Sequence, residues 1–334
     1  MDKIKIGVIS FEHMHAVSYT NALKNIPQVE LAGIADSDLG RGTKMAEAFN
    51  TTYYKDYKDL LNTDIDGVIV CTCNKLHAET VVAAAKAKKH IIVEKPFATN
   101  YEDAEAMINA AKENNVKLLT AFPMRFNQAV IEAKQAVDRG EIGEILCITG
   151  INHGKIPSGW FLDKDLAGGG AVMDHTVHVA DLMNWFTGSK CKSVYAESGE
   201  LIHNKGIDDC GIVNVEFENG VFGTIDCSWG HHKNYPIWPE VYMEIVGTKG
   251  VLEVEAFRQT ERVYSVKNNS IDDEMWADGG DDGLIKEFIK VIEAAKKGED
   301  LKDSHYASGI DGKRAMEIAL SAYKSSATHM VSSN

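Results

Sequence analysis

Nothing in this 334-residue chain supplies a basic surface. Lys and Arg number 35 against 49 Asp and Glu, the formal net charge is −14, and no run of Lys and Arg occurs. Nucleic acids and anionic membranes are recognised by such clusters, so neither is an expected partner. No apolar run reaches the ~20 residues needed to cross a bilayer. Met1-Asp2-Lys3-Ile4-Lys5-Ile6 enters a strand directly, without an apolar leader core, so a cytoplasmic protein is expected. The six cysteines lack zinc-type or thioredoxin-type spacing. Cys71 and Cys73 alternate along a strand, and Cys147, Cys210 and Cys227 sit in apolar runs, the pattern of reduced core thiols rather than nucleophiles.

What is present reads as an ordinary globular chain, 44% apolar and 25% charged. Its length exceeds that at which single cores stop growing, which predicts two domains. Strands alternate with helices first: Ile4–Ser10, His15–Asn25, Val29–Ala35, Leu39–Phe49, Ile65–Thr72, a helix from His77, a strand to Glu94, Tyr101–Asn114 and Lys117–Phe122. That order predicts a doubly wound parallel sheet of Rossmann type over residues 1–123. Past Pro123 and a helix over Phe126–Arg139 the texture changes to longer alternating runs, 193–201, 211–218, 221–228, 241–247 and 251–257, with an Asn219-Gly220 hairpin turn. Residues 124–334 are therefore expected to form an α+β domain with a large, mainly antiparallel sheet, closed by helices over 283–297 and 310–328. The cleft between the domains is the expected substrate site.

The strand ending Val93-Glu94-Lys95-Pro96 places a lysine where open α/β sheets bind ligands. With Thr72-Cys73-Asn74-Lys75-Leu76-His77 before it, the sequence resembles the Gfo/Idh/MocA oxidoreductases, the family of glucose–fructose oxidoreductase and inositol dehydrogenase. Gly169-Gly170-Ala171-Val172-Met173-Asp174 followed by His178 and Asp181 fills a second pattern of that family. Asp174 and His178, at i and i+4, share one helical face. The resemblance implies an NAD(P)-dependent oxidoreductase acting on a sugar, inositol or related polyol. In it His178 takes the hydroxyl proton, Asp174 binds or orients the substrate, and Lys95 polarises the oxygen. Taken singly, these groups would be a surface pair worth ~0.3–0.5 kcal/mol and a solvated turn lysine; three motifs in the family's chain order decide for the functional reading.

The cofactor expectation rests on Asp36 at the end of the second strand, which would accept hydrogen bonds from the adenosine ribose. It favours NAD, and the nearby Arg41 keeps NADP as the alternative. The resemblance adds Thr72, Asn74, His77, Glu94 and Lys95 toward the nicotinamide, and Arg125 at the domain junction. The phosphate loop departs from the family: Ser10-Phe11-Glu12-His13-Met14-His15 stands where G-x-G-x-x-G would. A carboxylate there would meet the diphosphate, and like charges ~4 Å apart repel by roughly 4 kcal/mol at an effective dielectric of 20. Glu12 must point away, or the diphosphate must sit differently, with Ser10, Phe11, helix amides and a protonated His13 or His15 compensating.

His153, Trp160, His175 and His178 are the further substrate candidates, and Trp229, Tyr235 and Trp238 offer faces for a pyranose ring. His175, His178 and Asp174 with His231-His232 make a partial metal set. No helical His-Glu-x-x-His supports it, so no metal is assigned. The family's open second sheet suggests a homodimer or homotetramer, with Val213, Val215 and Phe217 on the contact face. Two other activities on this scaffold remain open: an NAD-retaining lyase or glycosidase, and a non-catalytic sensor.

Overall fold

The computed structural model describes residues 3–276, 279–301 and 304–333. The first half runs β1 (Ile4–Ile9), α1 (His15–Lys24), β2 (Val29–Ala35), α2 (Leu39–Phe49), β3 (Tyr53–Tyr54), α3 (Tyr57–Leu61), β4 (Gly67–Val70), α4 (His77–Lys86), β5 (His90–Val93), α5 (Tyr101–Asn114) and β6 (Leu118–Thr120). These strands are buried on both faces and therefore read as nearly unbroken apolar runs. Their spatial order is β6-β5-β4-β1-β2-β3, all parallel. The order reverses between β1 and β4, and the carboxyl ends of these two strands flank the crevice where such sheets bind ligands.

The second half runs α6 (Gln128–Asp138), β7 (Ile145–His153), α7 (Lys164–Ala167), α8 (Ala171–Thr187), β8 (Cys191–Gly199), β9 (Cys210–Phe217), β10 (Phe222–Ser228), β11 (Glu240–Gly247), β12 (Val251–Glu255), β13 (Gln259–Ser265), β14 (Ser270–Trp276), α9 (Asp281–Lys296), β15 (Ala307–Ser308), α10 (Gly309–Thr328) and β16 (Ser332–Ser333). A sheet of order β12-β11-β7-β10-β9-β8-β16 is antiparallel except where β10 lies parallel to β7. Helices α8 and α10 cover one face of it. The Asn219-Gly220 turn joins β9 to β10 as expected, with Gly220 at φ +87°.

Register overturns one expectation. Val213, Val215 and Phe217 are buried against the helices, because strand side chains alternate and the neighbouring set, Ile212, Asn214 and Glu216, takes the open face. The open face carries exposed Tyr195, Ile212 and Phe222. The chain also recrosses the expected division at 123/124. Leu284, Ile285, Phe288 and Ile289 of α9 pack into the core built on β1 and α1, and β15 pairs antiparallel with β6.

Candidate active site

Lys95 and Asp174 meet although they lie 79 residues apart, one just past β5 and the other in the first turn of α8. Lys95 Nζ donates to Asp174 Oδ1 at 2.5 Å. Trp229 Nε1 donates to Asp174 Oδ2 at 3.1 Å, and His175 Nε2 lies 3.3 Å from the same oxygen. Burial pushes the Asp174 carboxyl up, but the Lys95 ammonium outweighs it and holds the group far below the carboxylate range. One turn along α8, His178 is half-buried, and among the described residues its buried Nδ1 has no hydrogen-bond partner. Burial, reinforced by Lys95, keeps its imidazole neutral.

These groups line a cavity of about 180 Å³ between the two halves of the chain. His13, Met14 and His15 form one wall of it, Asn152, Phe161 and Trp238 another, and Asp281 at the start of α9 contributes from the far end of the sequence. Asp281 belongs to no motif, and the return of α9 to α1 brings it there.

The cofactor candidates gather at the β1/β4 crevice. Ser10 holds φ +70°, the left-handed conformation a glycine would adopt, and its Oγ accepts from the Glu12 amide at 3.1 Å. Asp36 Oδ2 accepts from Phe11 N and Arg41 Nε, and Oδ1 from Asp38 N and Arg41 Nη2. Ribose hydroxyls therefore reach Asp36 only when the partly exposed Arg41 fork yields. Glu12 does not point into solvent: its Oε2 accepts from Cys73 N at 2.8 Å and its Oε1 lies 3.6 Å from Arg41 Nη2. Past β4, Thr72 Oγ1 and Asn74 Oδ1 are buried without a partner among the described residues. Buried polar atoms are normally satisfied, so these two are available to a ligand, whereas both Asp36 oxygens are engaged within the protein.

Several sequence expectations are corrected. His77 is wholly buried, with its ring nitrogens on the carbonyls of Pro96 and Thr72, so it pins the Glu-Lys-Pro turn rather than facing a ligand. Arg125 turns into the protein, where it donates twice to Asp181 at 2.7 and 2.8 Å and once to Tyr306 O. His153 lies outside the cavity, between Asp226 and Glu240. Trp160 stacks on Phe161 and donates to Glu12 O at 3.2 Å, bridging to the phosphate loop. Trp229 is 1% exposed and holds Asp174, so it offers no face to a sugar. His13 is not a cation, since burial lowers it to about 3; His15 is raised, because Glu94 at 3.1 Å outweighs the effect of burial.

Two family models match this chain. Residues 4–122 match the oxidoreductase family with an NAD-binding Rossmann fold, and residues 130–253 match the GFO/IDH/MocA C-terminal domain. Myo-inositol 2-dehydrogenase of Thermotoga maritima is 30% identical over 333 residues, covering 96% of each chain. The chain belongs to the GFO/IDH/MocA oxidoreductases. A second relative, 2,7-anhydro-N-acetylneuraminate hydratase of Escherichia coli, is 36% identical over 74% of this chain and 62% of its own length. The solved structure of GenD2 from gentamicin A biosynthesis, in complex with NAD, has the same fold at a TM-score of 0.89 and 22% identity, covering 100% of this chain and 97% of that one. Among the described residues no helix of this family member is long and apolar enough to cross a membrane.

Proposed function

We propose that this oxidoreductase is an NAD-dependent dehydrogenase of an inositol, sugar or related polyol, with Lys95, Asp174 and His178 as its catalytic residues. The observation that carries this reading is the 2.5 Å Lys95–Asp174 pair in the same cavity as a neutral His178, whose Nδ1 has no partner among the described residues. When bound, NAD supplies the hydride acceptor, held by Asp36 at the ribose and by Thr72 and Asn74 toward the nicotinamide. Lys95 has three N–H donors and Asp174 takes one, which leaves two for a substrate oxygen. As the alcohol is oxidised, negative charge develops on that oxygen and the ammonium stabilises it. His178, already neutral, accepts the hydroxyl proton. The inositol dehydrogenase relative supports a polyol as substrate, and the uncovered face of the second sheet supports contact between copies of the chain.

The hydratase relative favours one second reading, an NAD-retaining reaction without net redox change. Both readings are tested by incubating the protein and NAD with a panel of inositols, sugars and anhydrosugars while following NADH and substrate together. NADH formed in step with substrate loss supports the dehydrogenase, and substrate loss without NADH supports the second reading. Lys95→Ala should abolish either reaction. Ligand binding without turnover of any compound, unaltered in Lys95→Ala, would overturn both in favour of a sensor.

A further inference from the structure

The side chains that replace the glycine loop converge on one point. His15 Nδ1 lies 3.1 Å and His13 Nδ1 3.5 Å from the same oxygen of Glu94, and the three ligand atoms fall within 4.8 Å of one another. Zinc bound at about 2.0–2.2 Å by two imidazoles and a carboxylate in a tetrahedron sets its ligand atoms roughly 3.3 Å apart. The two distances to Glu94 bracket that edge. We propose that His13, His15 and Glu94 form a site for a divalent transition-metal ion of zinc's type, with its remaining position open to the catalytic cavity.

The surroundings suit such an ion. The Glu94 side chain is fully buried and that of His13 is 2% exposed, so neither is hydrated. Glu94 Oε2 accepts from Lys95 N at 3.0 Å, which orients the carboxylate as supporting hydrogen bonds orient metal ligands. His13 Nδ1 also accepts from the His15 amide at 3.3 Å, which fixes this ring with Nδ1 as its lone-pair nitrogen. With Nδ1 on a metal, its other nitrogen carries the proton beside the rings of Phe161 and Trp160. Tyr19 OH, 3.2 Å from His15 Nδ1, turns to an outer contact when the ion binds. His13 and His15 both line the cavity, so the open position takes water or a substrate oxygen.

A second triad, His153, His231 and Glu240, is the internal comparison. There Glu240 already pairs with Arg258 and accepts from Tyr235, and His153 is engaged by Asp226 at 2.9 Å. There an arginine already neutralises the carboxylate, whereas among the described residues no arginine or lysine side chain forms an ion pair with Glu94.

The test uses untagged full-length protein and is read without turnover, so it stands apart from the proposed reaction. Metal content is measured by mass spectrometry; the chelator-stripped protein is then titrated with zinc chloride by calorimetry and with cobalt chloride by visible absorption. One zinc per chain is expected, with a tetrahedral cobalt spectrum. Glu94→Gln and the half-exposed His15→Ala should each weaken binding about a hundredfold or more, since even outer-sphere partners are worth 10–100-fold. His231→Ala should bind as the parent does. Circular dichroism establishes that each variant is folded, and His15→Ala carries the test where a buried-site variant is not. Absence of saturable binding to the parent, undiminished binding in His15→Ala, or loss in His231→Ala instead would overturn the proposal.

Discussion

Replacing Trp229 by Phe removes one N–H and little else. The indole is buried beside Ala171 and Ile207, with Ile156 and Leu162 packed against them, and a benzyl ring keeps most of that contact. What is lost is the 3.1 Å hydrogen bond to Asp174 Oδ2. A bond to an ionised acceptor contributes about 1.5–3 kcal/mol. Asp174 Oδ2 would then be left with His175 alone, whose Nδ1–H is committed to Asn152 O at 3.0 Å. A neutral ring committed in that way presents a lone pair to the carboxylate, so it cannot replace the indole. Asp174 is then free to rotate, and Lys95 Nζ follows it. If the placed ammonium stabilises the transition state, a loss of about 1.4–2.7 kcal/mol lowers kcat 10–100-fold.

Steady-state kinetics and urea denaturation of the same preparation check this. The expected result is a lower kcat at nearly constant KM, with destabilisation of about 1.5–3 kcal/mol. Unchanged kcat alongside reduced stability would refute the idea that the indole acts through Asp174 on Lys95, leaving Trp229 a packing residue.

Arg125→Met strands the buried Asp181 carboxylate and should cost about 3–5 kcal/mol in urea denaturation while leaving NAD affinity as it was. His13, His77, His90, His175 and His178 are all lowered by burial. Below about pH 6.5 the unfolded chain therefore binds more protons than the native one, and each histidine removes up to about 1.4 kcal/mol of stability per pH unit. His15 and His153, raised by Glu94 and Asp226, oppose this only above about pH 6.5, and the buried Asp181 and Asp281 carboxyls, both raised, offset part of it toward pH 5, while Glu94 and Asp174 titrate only at lower pH. Five lowered histidines outweigh these and predict a melting temperature that falls between about pH 6.5 and about pH 5; a flat or rising profile would contradict it. Glu12→Gln keeps an acceptor for Cys73 N but removes the charge. It should tighten NAD at least tenfold by calorimetry, about 1.4 kcal/mol out of a repulsion of roughly 4 kcal/mol, and an unchanged Kd would show that the carboxylate is not in the cofactor's way.

The sequence made the frame legible because its signals are local. Unbroken apolar runs marked β1, β4 and β5, and Asn219-Gly220 marked a hairpin, each through a few adjacent residues. The pairing of Asp174 with His178 on one face followed from helical spacing alone. Partners distant in the chain were not legible. No periodicity says that α9 returns to α1 and delivers Asp281, that Trp229 donates to Asp174, or that Arg125 is consumed by Asp181. The face on which Val213, Val215 and Phe217 lie was lost for a related reason: alternation shows that two faces differ, and only the position of α8 and α10 says which is covered.

The phosphate loop joins these two kinds of information. Its missing glycines signalled a departure from the family without saying what replaced them. In the fold the backbone path is kept, since Ser10 takes the left-handed turn. The added side chains are then consumed by tertiary bonds: Glu12 to the end of β4 and toward Arg41, and His13 and His15 to the carboxylate before Lys95. A flexible glycine cradle has thus become a set of charged and imidazole groups anchored to the catalytic strand. Glu94 links this loop to Lys95, since one of its oxygens faces the two histidines and the other accepts from the Lys95 amide. A change in this loop is therefore expected to reach the reacting lysine through a single buried side chain.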